Sequence, residues 1–155
     1  MYHRILVPLD GGELSETILP HATEMARRFD ATLVLLRVSS SLAEVVSKTV
    51  PPEPMAEAPI AVDVAEEVVE VEEETAEQYL RQVVERLKQE GVVCEALVVQ
   101  GEPAVSLAEA VKQQNIDLVA MTTHARSALG RLLHGSVSEA VLHEVHVPVL
   151  LLHTP

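Results

Sequence analysis

The chain has 155 residues, enough for one domain with a real core; 48% of them are hydrophobic and only 2% aromatic, so that core is built from Val, Leu, Ile and Ala. Eleven Lys and Arg against 24 Asp and Glu give a formal net charge of −13, which repels a nucleic-acid backbone or an anionic membrane surface and excludes both as partners. No run of about 18 uncharged apolar residues offers a membrane span, and the opening MYHRILVPLDGG lacks the apolar stretch of a signal peptide, so a cytoplasmic protein is expected.

In chain order, residues 4–9, RILVPL, read as a short strand that stops at the turn signal Asp10-Gly11-Gly12. Leu14, Ile18, Ala22, Met25 and Phe29 then recur at helical spacing, with Pro20 inside the pattern as an expected kink. Residues 31–38, ATLVLLRV, are apolar without alternation and predict a strand covered on both faces. Residues 39–74 change character: four prolines fall between Pro51 and Pro59, and acids crowd from Glu66 to Glu74, which predicts a long acidic loop or insertion at about 40–74. Its acidity reads as a solvated surface, with an acidic docking patch as the alternative.

Residues 75–90 carry Ala76, Tyr79, Leu80, Val83 and Leu87 at helical spacing and end at Gly91, a C-terminal stop. A strand follows at 92–99, a helix at 104–114 after Gly101-Glu102-Pro103, a strand at 117–121, a helix from 137 to about 145, and the final strand VPVLLLH. Five strands alternating with helices predict an α/β fold, a parallel sheet with helices on both faces, whose ligands sit beyond the strand carboxyl ends at the switch point.

Chemistry is sparse along this frame. Gly135-Ser136-Val137-Ser138-Glu139 opens the last helix and reads first as a capping box, with a phosphate held by its hydroxyls and free amides as the second reading. Asp10, at the end of the first strand, either accepts hydrogen bonds from a sugar or an exocyclic amine or begins a turn. No Walker loop, GxGxxG or GxSxG occurs; His143 and His146 have no carboxylate pattern to complete a metal site; and Cys94, in VVCEALVV, reads as a small apolar core residue. No triad or carboxylate dyad is assignable by spacing.

Taken together, VPLDGGELSE, GEPAVSLAEAVKQQNIDLVAM and THARSALGRLLHGSVSEAVLHEVHVPVLLL closely resemble the universal stress protein family over nearly the whole chain, residues 1–155 forming one such domain. The resemblance implies a three-layer α/β/α fold with an open five-stranded parallel sheet, order 3-2-1-4-5, of the Rossmann-like, adenine nucleotide alpha hydrolase-like kind. It also implies a homodimer that pairs the last strands of two subunits, here residues 147–152 (VPVLLL), whose unbroken apolar run is poorly protected as a free edge.

ATP-binding members of the family carry G-x(2)-G-x(9)-G-[ST] between the fourth strand and the last helix. Gly135 and Ser136 match its end, while Thr122 and Ala125 stand where the first two glycines would be. Thr122 ends a strand, where a β-branched residue is natural. If the position of Ala125 needs a left-handed backbone, alanine there costs about 1–2 kcal/mol, a roughly five- to thirtyfold loss of affinity. Gly130 lies in the same loop, and Arg126 and Arg131 offer charge to phosphate.

By the family pattern Pro8, Leu9 and Asp10 frame adenosine, Val38 and Met121 flank the base, and Gly135, Ser136, Val137 and Ser138 hold phosphates. The implied function is a regulatory module of the stress response that binds an adenine nucleotide, ATP with Mg²⁺. The alternative is a dimeric interaction protein of the same family that binds no nucleotide. No base for water and no arginine finger are assignable, so an enzyme is not expected beyond slow ATP hydrolysis.

Overall fold

Apolar residues without alternation form the centre of the sheet. In the computed structural model, which describes residues 1–49, 58–124 and 137–154, β1 (Arg4–Pro8) buries Ile5, Leu6 and Val7, and β2 (Thr32–Ser39) buries Leu33, Val34, Leu35 and Leu36. Side chains pointing to opposite faces are equally covered, as a parallel strand between two helical layers requires. With β3 (Cys94–Gln100), β4 (Leu118–His124) and β5 (Val149–Thr154) these strands form an all-parallel sheet in the order 3-2-1-4-5.

Six helices flank it among the described residues: α1 (Glu13–Glu16), α2 (Leu19–Phe29), α3 (Leu42–Thr49), α4 (Ala58–Gln89), α5 (Pro103–Gln113) and α6 (Val137–Glu144). α2 and α4 cover one face, where Ile18, Ala22, Leu80, Val83 and Leu87 pack on Ile5, Val7, Leu33 and Leu35. α5 and α6 cover the other, where Leu107, Val111 and Val141 pack on Leu6, Val34 and Val119. Two connections on one face and two on the other make a three-layer, Rossmann-like α/β/α fold.

Local chemistry explains the ends of these helices. The Glu102 carboxylate caps α5 by accepting the N–H groups of Ala104 and Val105 at 3.2 and 2.8 Å. Gly91 follows α4 at φ +77°, a left-handed stop that suits glycine. Pro20 does not kink a helix interior: it falls in the first turn of α2, after a break at Thr17 and Ile18 that separates α1, so no intrahelical donor is lost.

The expectation of a mostly loop-like segment at about 40–74, partly helical toward its end, is corrected for the described residues; residues 50–57 lie outside them. The chain forms α3 and then α4, a 32-residue helix roughly 48 Å long. Ser41 and Glu44 make a capping box at the start of α3, the Ser41 N–H donating to Glu44 Oε2 at 2.8 Å and the Glu44 N–H to Ser41 Oγ at 3.4 Å. Val45, Ala65 and Val69 then build a small core between α3 and α4. The acids that suggest a loop by composition are good helix formers, and no Gly or Pro interrupts residues 60–90.

Two strand limits also move. β4 runs to His124 rather than ending at Met121, in register with β5 from Val119 opposite Val149 to His124 opposite Thr154. β5 begins at Val149, so Val147 and Pro148 precede it; the Pro148 carbonyl accepts the Val119 N–H at 3.0 Å. No helix among the described residues is long and apolar enough to cross a membrane.

Candidate functional site

The connection after β1 leads to one side of the sheet and the one after β4 to the other, so the carboxyl ends of these neighbouring strands flank the switch point. Their register is recorded at Ile5 opposite Leu118 and Leu6 opposite Val119, well before either strand ends. Among the described residues, Pro8, Leu9, Asp10, Val38, Met121 and Thr122 lie on β1, β2 and β4 or directly after β1, toward this end of the sheet.

Pro8, half-buried, ends β1 opposite Leu36. Leu9 is buried in the core under α2 and α4, and its N–H donates to the Leu36 carbonyl at 2.8 Å, which ties the chain to β2 just before it turns. Asp10 then begins the turn: its Oδ1 accepts the Gly12 N–H at 2.8 Å, and its own N–H donates to Ser15 Oγ at 3.3 Å. The Ser15 hydroxyl in turn donates to the Gly12 carbonyl at 2.8 Å. Gly11, at φ +84°, supplies the left-handed backbone this turn needs. The turn role of Asp10 does not exclude a ligand role, because a carboxylate has roughly four acceptor sites.

Asp10 and Val38 line one cleft of about 510 Å³, together with Gly11, Arg37, Ser39, Ser40 and, from α4, Val71, Glu72, Thr75, Ala76 and Tyr79. Val38 also packs into the core on the α5 and α6 side, which it shares with Met121. Thr122 lies within β4 opposite Leu152, and it is not among the described non-glycine residues with positive φ, which are Asp30 and Asn115. Thr122 thus sits in an extended strand and needs no left-handed backbone. Val137 and Ser138 begin α6. Ala125, Gly135 and Ser136 lie outside the described residues.

The α4 wall of the cleft and Arg37 escaped sequence reasoning. Arg37 carried a signal, a charge at the end of an otherwise apolar strand; its guanidinium carbon lies 3.8 Å from where a side chain on Gly11 would begin. Tyr79 is held in place by its hydroxyl, which donates to Glu16 Oε1 at 2.9 Å, while Arg86 bonds Glu16 Oε2 at 2.6 Å. Burial first, then the bond to Glu16, pushes the Tyr79 phenol well above its ordinary range, so it stays a neutral donor. Ser40 donates its N–H to Glu72 Oε2 at 3.1 Å, fastening α4 to the end of β2.

The model of the universal stress protein family matches residues 1–153. The chain belongs to the universal stress protein family. Universal stress protein MJ0531 of Methanocaldococcus jannaschii is 29% identical over 155 residues, covering 100% of this chain and 84% of the relative. Among solved structures, MJ0577 of the same organism superposes with a TM-score of 0.74 at 22% identity, covering 100% of this chain and 98% of that one. A universal stress protein in complex with cAMP has a TM-score of 0.64 at 22% identity, with 99% and 98% covered. An Arabidopsis thaliana family member with AMP bound has a TM-score of 0.62 at 17% identity, with 99% and 92% covered. At these identities the likeness carries the fold that universal stress proteins share.

Proposed function

We propose that this universal stress protein is a regulatory module that binds an adenine nucleotide, ATP with Mg²⁺, at the carboxyl ends of β1, β2 and β4. The observation that carries the reading is Asp10: an exposed carboxylate, oriented by its own turn, lines a cleft with Val38 beside the switch point. A carboxylate there accepts hydrogen bonds from ribose hydroxyls or the adenine amine, and Val38 and Met121 offer apolar surface to the base. The phosphates fall to Gly135, Ser136, Val137 and Ser138, where the amides at the start of α6 and its dipole attract anions against the chain's net charge of −13. Mg²⁺ would arrive with the triphosphate, held by phosphate oxygens and water. Solved family members with cAMP and with AMP support adenine nucleotides as the ligand class.

Nucleotide bound only by the native state raises stability, so the melting temperature rises with millimolar ATP and Mg²⁺ and rises further in Ala125→Gly. No shift in either protein favours the second reading, a dimeric family member without nucleotide, for which the substitutions at Thr122 and Ala125 speak.

In the same reading two copies pair through β5. This strand ends the sheet, and its Val149, Leu150, Leu151 and Leu152 are only half-buried. Light scattering at micromolar concentration is expected to give twice the chain mass, and a monomer would contradict the pairing.

A further inference from the structure

The long helix α4 does two different things along its length. Its carboxyl-terminal half packs on the sheet through Leu80, Val83 and Leu87, and Glu73, level with the end of β3, accepts the Gln100 side-chain amide at 3.0 Å. The residues before Glu73 run on past the strand ends; Glu72 is still tied to Ser40 at the end of β2, and further back the helix packs on α3 through Val45, Ala65 and Val69. On this projecting half Val64, Val68 and Val71 are 51%, 38% and 55% exposed. Their spacing of four and three residues sets them in one row, turned away from the row of Ala65 and Val69 that meets α3.

Charge borders that row. Glu67, Glu70 and Glu74, spaced three and four residues apart along its flank, are exposed and make no ion pair with a described residue. No Lys or Arg occurs between Lys48 and Arg81, so nothing nearby in the chain neutralises them. A stripe of β-branched apolar residues that lies outside the described cluster between α3 and α4 is a surface shaped to be covered.

We propose that this stripe is a docking surface for a basic amphipathic helix of a partner protein, whose apolar face covers the valines and whose Lys or Arg residues meet the flanking glutamates. Charge decides the occupant. A second copy would set one acidic flank against another in a chain of net charge −13, and anionic lipid or nucleic acid would be repelled. Pairing through β5 leaves the stripe free, because α4 lies over β2 and β3, toward the opposite edge of the sheet. The stripe ends at Val71, which also lines the Asp10 cleft, so a docked helix would reach the rim of that cleft.

The test uses the full chain and a fluorescently labelled leucine–lysine peptide with leucines at helical spacing, beside a peptide of the same composition in scrambled order. Anisotropy titration is expected to show the ordered peptide binding at least tenfold more tightly than the scrambled one. Val68→Ser with Val71→Ser should remove that preference, and Val105→Ser, an equally exposed valine on α5, should leave it. Glu67→Gln with Glu70→Gln and Glu74→Gln should weaken binding and flatten its dependence on salt. Equal binding of the two peptides overturns the proposal, as does a preference that survives the double valine substitution. A self-association of the wild type that the double valine substitution abolishes would assign the stripe to a second copy and overturn it as well.

Discussion

At the scale of single residues, the end of β1 illustrates how much one turn fixes. Asp10 is legible as a turn former and as a ligand group, and the turn it makes is what aims it at the cleft. Cys94 is equally legible: surrounded by apolar neighbours, it is buried, and burial pushes its thiol above the ordinary range. Tyr79 was legible only as a core residue. Its bond to Glu16 joins residues 63 positions apart, and no local pattern announces that. Tyr79→Phe should lower stability by about 0.5–1.5 kcal/mol, read from urea midpoints. The folded state also holds the phenolic proton more tightly than the unfolded state. Its contribution is therefore fully present below the unfolded tyrosine pKa of about 10 and is lost as pH rises beyond it. Stability of the wild type should fall above that pH more steeply than that of Tyr79→Phe, and parallel profiles would show that this proton does not couple to folding.

At the scale of elements, strands were the easiest to read. Both faces of β1 and β2 are buried, so their unbroken apolar runs carry the signal directly. The helical hairpin of α3 and α4 was not legible as such, for a physical reason. The buried row of α4 runs Ala65, Val69, Ala76, Leu80, Val83 and Leu87, but Glu72 interrupts it where the helix leaves the sheet and meets the end of β2. Composition dominated the reading at that break. The S-L-A-E capping box at residues 41–44 was a usable sign that a helix follows. The two halves of α4 should respond differently to truncation. Leu80→Ala, at a fully buried position under the sheet, should cost about 2–5 kcal/mol of global stability. Val45→Ala, in the small core outside the sheet, should chiefly speed hydrogen exchange in α3 and the start of α4 while leaving the sheet protected. Equal loss of protection in both regions would show that the hairpin and the sheet open as one unit.

At the scale of the whole molecule, sheet order, connection side and acidic charge act together. The sheet places the ends of β1, β2 and β4 at one rim, and α4, fastened there through Glu72 and Tyr79, adds a wall that the strand pattern alone does not imply. An acidic chain that binds an anion must rely on local amides, and the net charge of −13 makes that binding weaker as salt is lowered. The central claim is that an adenine nucleotide is held through Asp10. A calorimetric titration of ATP and Mg²⁺ into the wild type and into Asp10→Ala at fixed salt tests it most directly. The account predicts saturable binding of one nucleotide per chain and a loss of at least tenfold in affinity on substitution. Binding that is absent from the wild type at millimolar nucleotide, or unchanged in Asp10→Ala, would contradict it.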